Sequence, residues 1–464
     1  MIDFSTIEGM YFVGIGGIGM SALALYFRKG GYDIAGYDRI SGMITDSLTS
    51  NGCTISFIDE IESIPDLYKA AEDKGKVLVV YTPAIPDENK ILSYFRKNGC
   101  TIYKRSEILG AISLETDTIA VAGTHGKTTI STMIAHLLKQ SHVDCSAFLG
   151  GISKNYNSNL ILGESRFTVM EADEYDRSFH RLSPIMAVVT AMDPDHLEIY
   201  GDHNTMIDAY NIFCRKIRHG GTLIYNCRLK GKIIPPEEVT CLTYGKEPGS
   251  DYRYFNVEHK GDYYSFNIET PEGIFNDLHF PFPGIINIEN LTAAIAVALK
   301  CGVNESEMRK AIILFQGVRR RFDIRLNIPG LAYIDDYAHH PEEIRAFITS
   351  AREYFSGRKI TAIFQPHLFT RTRDHADGFA AILDKLDQVI LLPVYPAREK
   401  PIEGVSSGMI FERMKLVNKS MMEMNEIPGK LNINELDVLV TIGAGDIDRL
   451  VEPIEKWLKE LIER

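Results

Sequence analysis

Lys127 and Thr128 close the run Ala122-Gly123-Thr124-His125-Gly126-Lys127-Thr128-Thr129, set between an apolar stretch at 119–122 and a helix-like stretch at 127–139. Loops of this kind bind phosphate: backbone N–H groups cradle the oxygens, the lysine neutralises the β- and γ-phosphates, and the threonine hydroxyl suits Mg2+. The first glycine of the usual pattern is replaced here by Val121. A chance GKTT is the bland alternative, and the flanking strand and helix weigh against it. A second glycine run, Gly14-Ile15-Gly16-Gly17-Ile18-Gly19, also follows a strand and opens a helix, with Asp38 ending the next strand. It suits a dinucleotide or nucleotide diphosphate, with Asp38 placed for a ribose hydroxyl. A tight turn whose glycines serve packing alone is the competing reading.

The acidic run Glu171-Ala172-Asp173-Glu174-Tyr175-Asp176 continues an apolar strand at 167–170, so at least one member is expected to hold a metal. Asp193-Pro194-Asp195-His196 follows the strand at 187–190. A lone histidine is usually structural; His196 gains weight because its strand end should lie beside the phosphate loop. Arg319-Arg320-Arg321-Phe322-Asp323 puts cations at a domain junction, unless these are solvated linker charges. Three more loops follow strands: Asp335-Asp336-Tyr337-Ala338-His339-His340-Pro341, Gln365-Pro366-His367-Leu368-Phe369-Thr370-Arg371-Thr372 and Gly443-Ala444-Gly445-Asp446. Open α/β sheets bind ligands at such strand ends. Adjacent His339 and His340 seldom converge on one ion, so substrate contact or a helix start is expected there.

These loops need strands and helices to carry them. Apolar segments at 10–13, 32–37, 77–81, 119–122, 167–170, 187–190, 223–225, 332–334, 360–364, 389–394 and 438–442 read as strands. Helical spacing at 20–28, 127–139, 287–300, 341–354 and 370–386 alternates with them, which implies mostly parallel sheets. Asn-Gly-Cys-Thr-Ile occurs at 51–55 and again at 98–102, a helix stop followed by a strand used twice, or an old duplication. Aromatic alternation at 252–280 predicts antiparallel hairpins on a domain edge. At roughly 150 residues per domain, 464 residues suggest about three, with boundaries read at 1–112, 113–322 and 323–464. The formal charge of −12 argues against a nucleic-acid binder. No apolar run reaches the ~18 residues that span a bilayer, and Asp3 and Glu8 stand where a signal peptide would be basic. Seven scattered cysteines without a CxxC pair fit reduced thiols in a cytoplasmic protein.

Taken in order, GIGGIGM, AGTHGKTT, EADExDxSF, a DH pair after TAM, a PG…N…N segment before an Ala-rich helix, RRFD, DDYAHHP, QPHxxTRT and GAGD resemble the Mur ligases over essentially the whole chain. The resemblance implies an α/β protein of three domains. These are a Rossmann-like UDP-sugar domain, a P-loop ATPase domain with added antiparallel strands, and a Rossmann-like amino-acid domain. It implies ATP- and Mg2+-dependent joining of L-alanine to the lactyl carboxylate of UDP-N-acetylmuramate through an acyl phosphate, the first amino-acid addition to the peptidoglycan precursor. Lys127, Glu171, His196 and Arg321 would then be catalytic, with Thr128, Glu171 and His196 around magnesium. ATP would meet Gly123 to Thr129 (Thr124, His125 and Gly126 included), Asn287, Asn290, Arg321 and Asp335 or Asp336. Gly14, Gly16, Gly17, Gly19, Asp38, Thr82 and Ala84 would hold the UDP-sugar, and His339, His367 and Arg371 the alanine. The chain departs from the family at Tyr175, Ala191, Ile286 and Asp446.

Three rivals remain at this level. A recycling ligase would join a whole murein tripeptide to the same UDP-sugar; the residues from Gln365 to Thr372 resemble the alanine-adding pattern instead. A nicotinamide-dependent oxidoreductase would use the first glycine loop and leave the GKTT loop idle. A nucleotide-switched binding protein would hydrolyse or hold ATP without ligation.

Overall fold

The computed structural model describes residues 2–69, 76–194, 197–397 and 399–462, and among these three sheets form. The first is all parallel in the order β3-β2-β1-β4-β5, with β1 Gly9–Val13, β2 Asp33–Tyr37, β3 Thr54–Ser56, β4 Val77–Tyr81 and β5 Thr101–Lys104. The order reverses beside β1, so the glycine loop after it sits at the switch point where such sheets bind ligands. Both Asn-Gly-Cys-Thr-Ile runs act as helix stops. Gly52 (φ +84°) ends helix Met43–Ser50 before β3, and Gly99 (φ +69°) ends helix Lys90–Lys97 before β5, the two edge strands. Glycine takes this left-handed turn without the Cβ clash other residues meet.

The second sheet has ten strands in the order β15-β14-β13-β12-β11-β10-β6-β9-β7-β8. These are β6 Asp117–Ala122, β7 Ser146–Ser153, β8 Ser158–Ile161, β9 Phe167–Glu171, β10 Met186–Val189, β11 Thr222–Asn226, β12 Thr240–Gly245, β13 Tyr252–His259, β14 Tyr264–Thr270 and β15 Gly273–Phe280. Residues 119–122 of β6 are wholly buried, as expected of a central parallel strand covered on both faces. The aromatic segment does extend this sheet's edge. It joins through a short parallel pairing of β13 with β12, Tyr244 opposite Tyr252, rather than through a hairpin.

The third sheet runs β16-β17-β21-β18-β19-β20, with β16 Asp323–Ile328, β17 Leu331–Asp336, β18 Ile360–Phe364, β19 Gln388–Leu391, β20 Lys419–Met421 and β21 Val438–Ile442. Its edge strand β16 is antiparallel to β17, an addition the sequence pattern did not announce. β19 ends at Leu391 instead of residue 394, because Pro393 has no N–H to give the ladder. The preceding helix, Phe369–Leu383, ends three residues short of expectation, capped by the Asp384 N–H on the Ala380 carbonyl.

The chain divides into two compact units. One comprises Met1–Glu258, Ser265–Phe280 and Glu289–Gln316; the other comprises His259–Tyr264, Pro281–Ile288 and Gly317–Arg464. Within the first, one apolar core runs from Met10, Phe12 and Leu23 to Met170, Phe179 and Phe213, so the first two sheets share buried surface. The Asn159 amide also donates to the Ile18 carbonyl, and the Tyr26 and Phe148 rings lie 5.1 Å apart. The second unit has its own core around Tyr333, Ile363, Leu439 and Ile454. No helix among the described residues is long and apolar enough to cross a membrane.

Candidate active site

β6 lies between β10 and β9, so the phosphate loop is gripped from both sides. Gly123 has φ +132°, and a Cβ there would come within 2.0 Å of the Thr190 hydroxyl at the end of β10. That hydroxyl donates to the His125 carbonyl (2.5 Å), and the Asp193 N–H donates to the Thr124 hydroxyl (3.1 Å). The Thr124 N–H donates to the carbonyl of Ala191 (3.1 Å). Only the backbone of Ala191 is used in that bond, so the family departure there leaves it intact. Gly126 is left-handed (φ +80°), caps helix Lys127–Lys139 and lies against the Asn290 side chain. His125 Nε2 stands 3.6 Å from the Asp193 carboxylate.

On the β9 side the acidic run divides its work. The Thr128 hydroxyl donates to both Glu171 oxygens, at 2.9 and 3.1 Å. The Lys127 ammonium donates to the Gly123 carbonyl and to Glu174, each at 2.7 Å. Asp173 lies 3.6 Å from Arg105, and Asp176 lies 3.1 Å from Lys104. Burial opposes the Lys127 charge, but Glu174, Asp173 and Glu171 outweigh it and hold the lysine above its ordinary range. Burial pushes Glu174 up, with Lys127 pulling the other way. The sequence does not single out Glu174 within the acidic run; its carbonyl accepts the Tyr200 hydroxyl (2.6 Å) and the Arg177 N–H (3.0 Å), which hold it beside the loop. Nothing in the local sequence marked Lys104 or Arg105.

Thr128 and Glu171 present hard oxygens side by side. A Cβ on Gly150 would lie 1.9 Å from Glu171 Oε2, so that glycine keeps the carboxylate's flank clear. Magnesium takes one or two such protein oxygens and completes its shell with phosphate and water, and this donor pair fits it. His196 falls outside the described residues; among those described, no cluster of three His, Cys, Asp or Glu side chains forms a metal cage.

At the first glycine loop, Gly14 (φ +88°) packs under Thr82 and Ile85, whose turn is closed by the Ile85 N–H on the Thr82 carbonyl (3.1 Å). Ala84 sits exposed at the tip of that turn, and Gly17 caps helix Ile18–Lys29. Asp38 accepts the N–H groups of Gly16 (2.7 Å) and Ile40 (3.1 Å). It therefore ties down the loop as well as ending β2. A Cβ on Gly19 would fall 2.2 Å from the Arg105 guanidinium, so that arginine lies against the start of the helix.

In the second unit the ends of β17, β21, β18 and β19 are neighbours, which brings residues 335–340, 443–446 and 365–371 together. Both carboxylates expected near the ribose already have protein partners. Asp335 is wholly buried and takes Arg320 (3.2 Å) and the Thr441 hydroxyl (2.7 Å). Asp336 accepts the N–H groups of Phe322 (2.7 Å) and Ala338 (2.8 Å), and burial pushes its carboxyl up to about 6. Of the junction arginines it is Arg320 that pairs with Asp335, and both Arg320 and Arg321 lie over the Tyr337 ring, at 5.2 and 5.0 Å. Arg320 and Phe322 carry positive φ (+62° and +45°), a strained link that the Asp336 bond to Phe322 holds in place. The Gln365 amide donates to Asp446 (2.8 Å), a bond the Asp at this position accepts directly. Asn287 is buried and donates to the Pro283 carbonyl (2.6 Å).

His340 caps helix Pro341–Tyr354, its ring accepting the Glu342 N–H at 3.5 Å. His339 turns inward instead. Its ring lies 5.2 Å from Tyr337 and 5.6 Å from His367, and His367 stacks on Tyr395 at 5.7 Å. Arg371 stands on the first turn of helix Phe369–Leu383 with a buried guanidinium nitrogen that has no hydrogen-bond partner among the described residues. A buried donor in that state is costly unless a ligand satisfies it.

Sequence comparison now bears on this arrangement. The Mur ligase family catalytic-domain model matches residues 9–116, the Mur ligase middle-domain model 121–298 and the Mur ligase glutamate-ligase-domain model 320–447. The chain belongs to the Mur ligase family. The UDP-N-acetylmuramate–L-alanine ligase of Parabacteroides distasonis is 45% identical over 467 residues, covering 100% of both chains. The enzyme of that name from Flavobacterium johnsoniae is 43% identical over 99% of this chain and 100% of its own. Among solved structures, the UDP-N-acetylmuramate–alanine ligase of Thermotoga maritima superposes with a TM-score of 0.81 at 28% identity, covering 97% of this chain and 99% of that one. A murein peptide ligase from Psychrobacter arcticus shares the fold with a TM-score of 0.72 at 21% identity, over 97% and 98% of the two chains.

Proposed function

We propose that this Mur ligase joins L-alanine to the lactyl carboxylate of UDP-N-acetylmuramate, forming ADP, phosphate and UDP-N-acetylmuramoyl-L-alanine. The observation that carries the reading is a phosphate loop with Lys127 and the Thr128–Glu171 pair, on a chain 45% identical end to end to a relative of that activity. The reading places the enzyme in the cytoplasm, which seven free cysteines support.

A carboxylate is a poor acyl donor because its oxygen leaves badly; phosphorylating it supplies a good leaving group. Phosphoryl transfer needs position and charge more than covalent help. Lys127 would give up Glu174 for the transferring phosphate, and the N–H groups of 123–129 would hold the β-phosphate. Thr128 and Glu171, with His196, would hold magnesium, whose charge neutralises the phosphate oxygens. Asn287 and Asn290 would meet the adenine and Arg321 the developing phosphate charge. Gly14 to Gly19, Thr82 and Ala84 would seat the UDP-sugar, with Arg105 beside them. Arg371 would bind the alanine carboxylate, with His339 and His367 walling the pocket.

Phosphate release measured with ATP, with and without UDP-N-acetylmuramate, against L-alanine, other amino acids and a murein tripeptide tests this. Release should require both the nucleotide sugar and L-alanine. Faster release with tripeptide would replace the reading by the recycling ligase, and release independent of the sugar would end it.

A further inference from the structure

An amino acid meets the enzyme as an ammonium ion, which has no lone pair to attack an acyl phosphate. The His339 loop holds what is needed to remove that proton. His339 Nδ1 lies 3.0 Å from the Tyr337 carbonyl and 3.3 Å from Glu343 Oε2. A carbonyl can only accept, so Nδ1 carries the hydrogen and Nε2 keeps the lone pair. Glu343 is itself fixed by the N–H groups of His339 (3.0 Å) and His340 (3.3 Å), on the first turn of its helix. With 21% of its side chain exposed, His339 remains reachable. Burial, then the positive charges of Arg371 and Arg321, hold its ring below the ordinary histidine range, with Glu343 and the Tyr337 carbonyl opposing, so it is neutral at neutral pH. The other titratable groups around it are Tyr337, His367 and, behind His367, Tyr395. Arg371 acts on His339 and also has a buried nitrogen awaiting an acceptor. The carboxylate and amine of one α-amino acid are separated by a single carbon, so a guanidinium and a base close enough to act on each other match that ligand.

We propose that His339, oriented by Glu343, is the general base that deprotonates the α-ammonium of the incoming amino acid. The inference rests on the ligase reading above. One N–H bond breaks and its proton goes to Nε2, giving an imidazolium that Glu343 stabilises. The freed lone pair forms the C–N bond at the acyl carbon, and the C–O bond to phosphate breaks with its electron pair leaving on oxygen. A second N–H proton departs with the phosphate as HPO4²⁻, and His339 releases its proton to water.

The test uses the full-length enzyme with His339→Gln and Glu343→Gln. Three readouts are taken: acyl phosphate trapped by borohydride without alanine, kcat and KM for L-alanine, and kcat from about pH 4.5 to 9.5. In His339→Gln, acyl phosphate should form as in the wild type while kcat at pH 7 falls about 100-fold, the usual scale of general-base loss. Alanine KM should stay within about threefold, and kcat should climb tenfold per pH unit towards pH 9.5 where the wild type is flat. In Glu343→Gln the acid limb should move to lower pH, since removing the carboxylate's support lowers the His339 pKa. A raised KM at unchanged kcat, lost acyl phosphate, a wild-type pH profile or an unmoved acid limb would each overturn the role. A wild-type enzyme that traps no acyl phosphate would sink the ligase reading instead.

Discussion

The phosphate loop and the His339–Arg371 cluster both sit at the C-terminal ends of parallel strands, yet they wait for their ligands differently. Around the loop the described cations are paired, Lys127 with Glu174, Arg105 with Asp173 and Lys104 with Asp176, and the Thr128 hydroxyl donates to Glu171. An anion entering there must displace an internal carboxylate. In the second cluster the ring of His339 is held neutral and Arg371 keeps a buried nitrogen without a partner. The first site pairs its cations internally and leaves one buried Glu174 oxygen without a hydrogen bond, an acceptor that repels an anion; the second leaves a buried Arg371 donor, which suits a carboxylate. A highly charged triphosphate brings enough charge to win the exchange, whereas a zwitterion such as alanine would meet a neutral ring and a guanidinium with no carboxylate to displace from that nitrogen.

The largest effect should come from Lys127→Ala. Removing the loop's cation from the transferring phosphate should cut ADP formation by about 10³-fold, the scale lost with one such electrostatic contact; near-normal turnover would break the assignment of this loop. Arg371→Ala should raise alanine KM by about 30-fold, since a charge-assisted bond is worth roughly 2 kcal/mol, while the KM for ATP stays within about twofold. An equal rise for both substrates would erase the distinction between the two regions. Asp335→Asn leaves Arg320 half-paired in a buried place, and should cost about 2 kcal/mol in urea unfolding with little change in kcat. A loss of activity at unchanged stability would return Asp335 to a ligand-binding role. The smallest effect, and the sharpest for the contrast, is Glu174→Gln. With its internal anion removed, Lys127 should bind nucleotide about fivefold more tightly, equivalent to roughly 1 kcal/mol, as read by ADP titration. Weaker binding would mean Glu174 positions the lysine rather than competing for it.

Much of the frame was legible in the residues. A strand, a glycine turn and a helix leave strong local marks, so the phosphate loop, the switch-point loop and the helix stops at Gly52 and Gly99 stand where the pattern places them. Partnerships were not legible. Glu174 rather than Glu171 meets Lys127, with Tyr200 holding the Glu174 carbonyl from 26 residues away, and acidic patterning says nothing of that. Arg320 and Arg321 read alike in sequence and both lie over the Tyr337 ring, yet it is Arg320, at positive φ, that pairs with the buried Asp335. Asp335 looked available because strand ends usually are, and only the neighbouring β21, with Thr441, closes over it. Arg105 meets Gly19 and Asp173 across 86 and 68 residues of chain, distances over which periodicity carries no signal.

Oxygen-18 placed in the lactyl carboxylate of UDP-N-acetylmuramate tests the central claim most directly. If the acid is activated by phosphoryl transfer before alanine captures it, each inorganic phosphate released should carry one atom of label. Label-free phosphate alongside labelled product would show that ATP is spent without charging the carboxylate, and the account would fail.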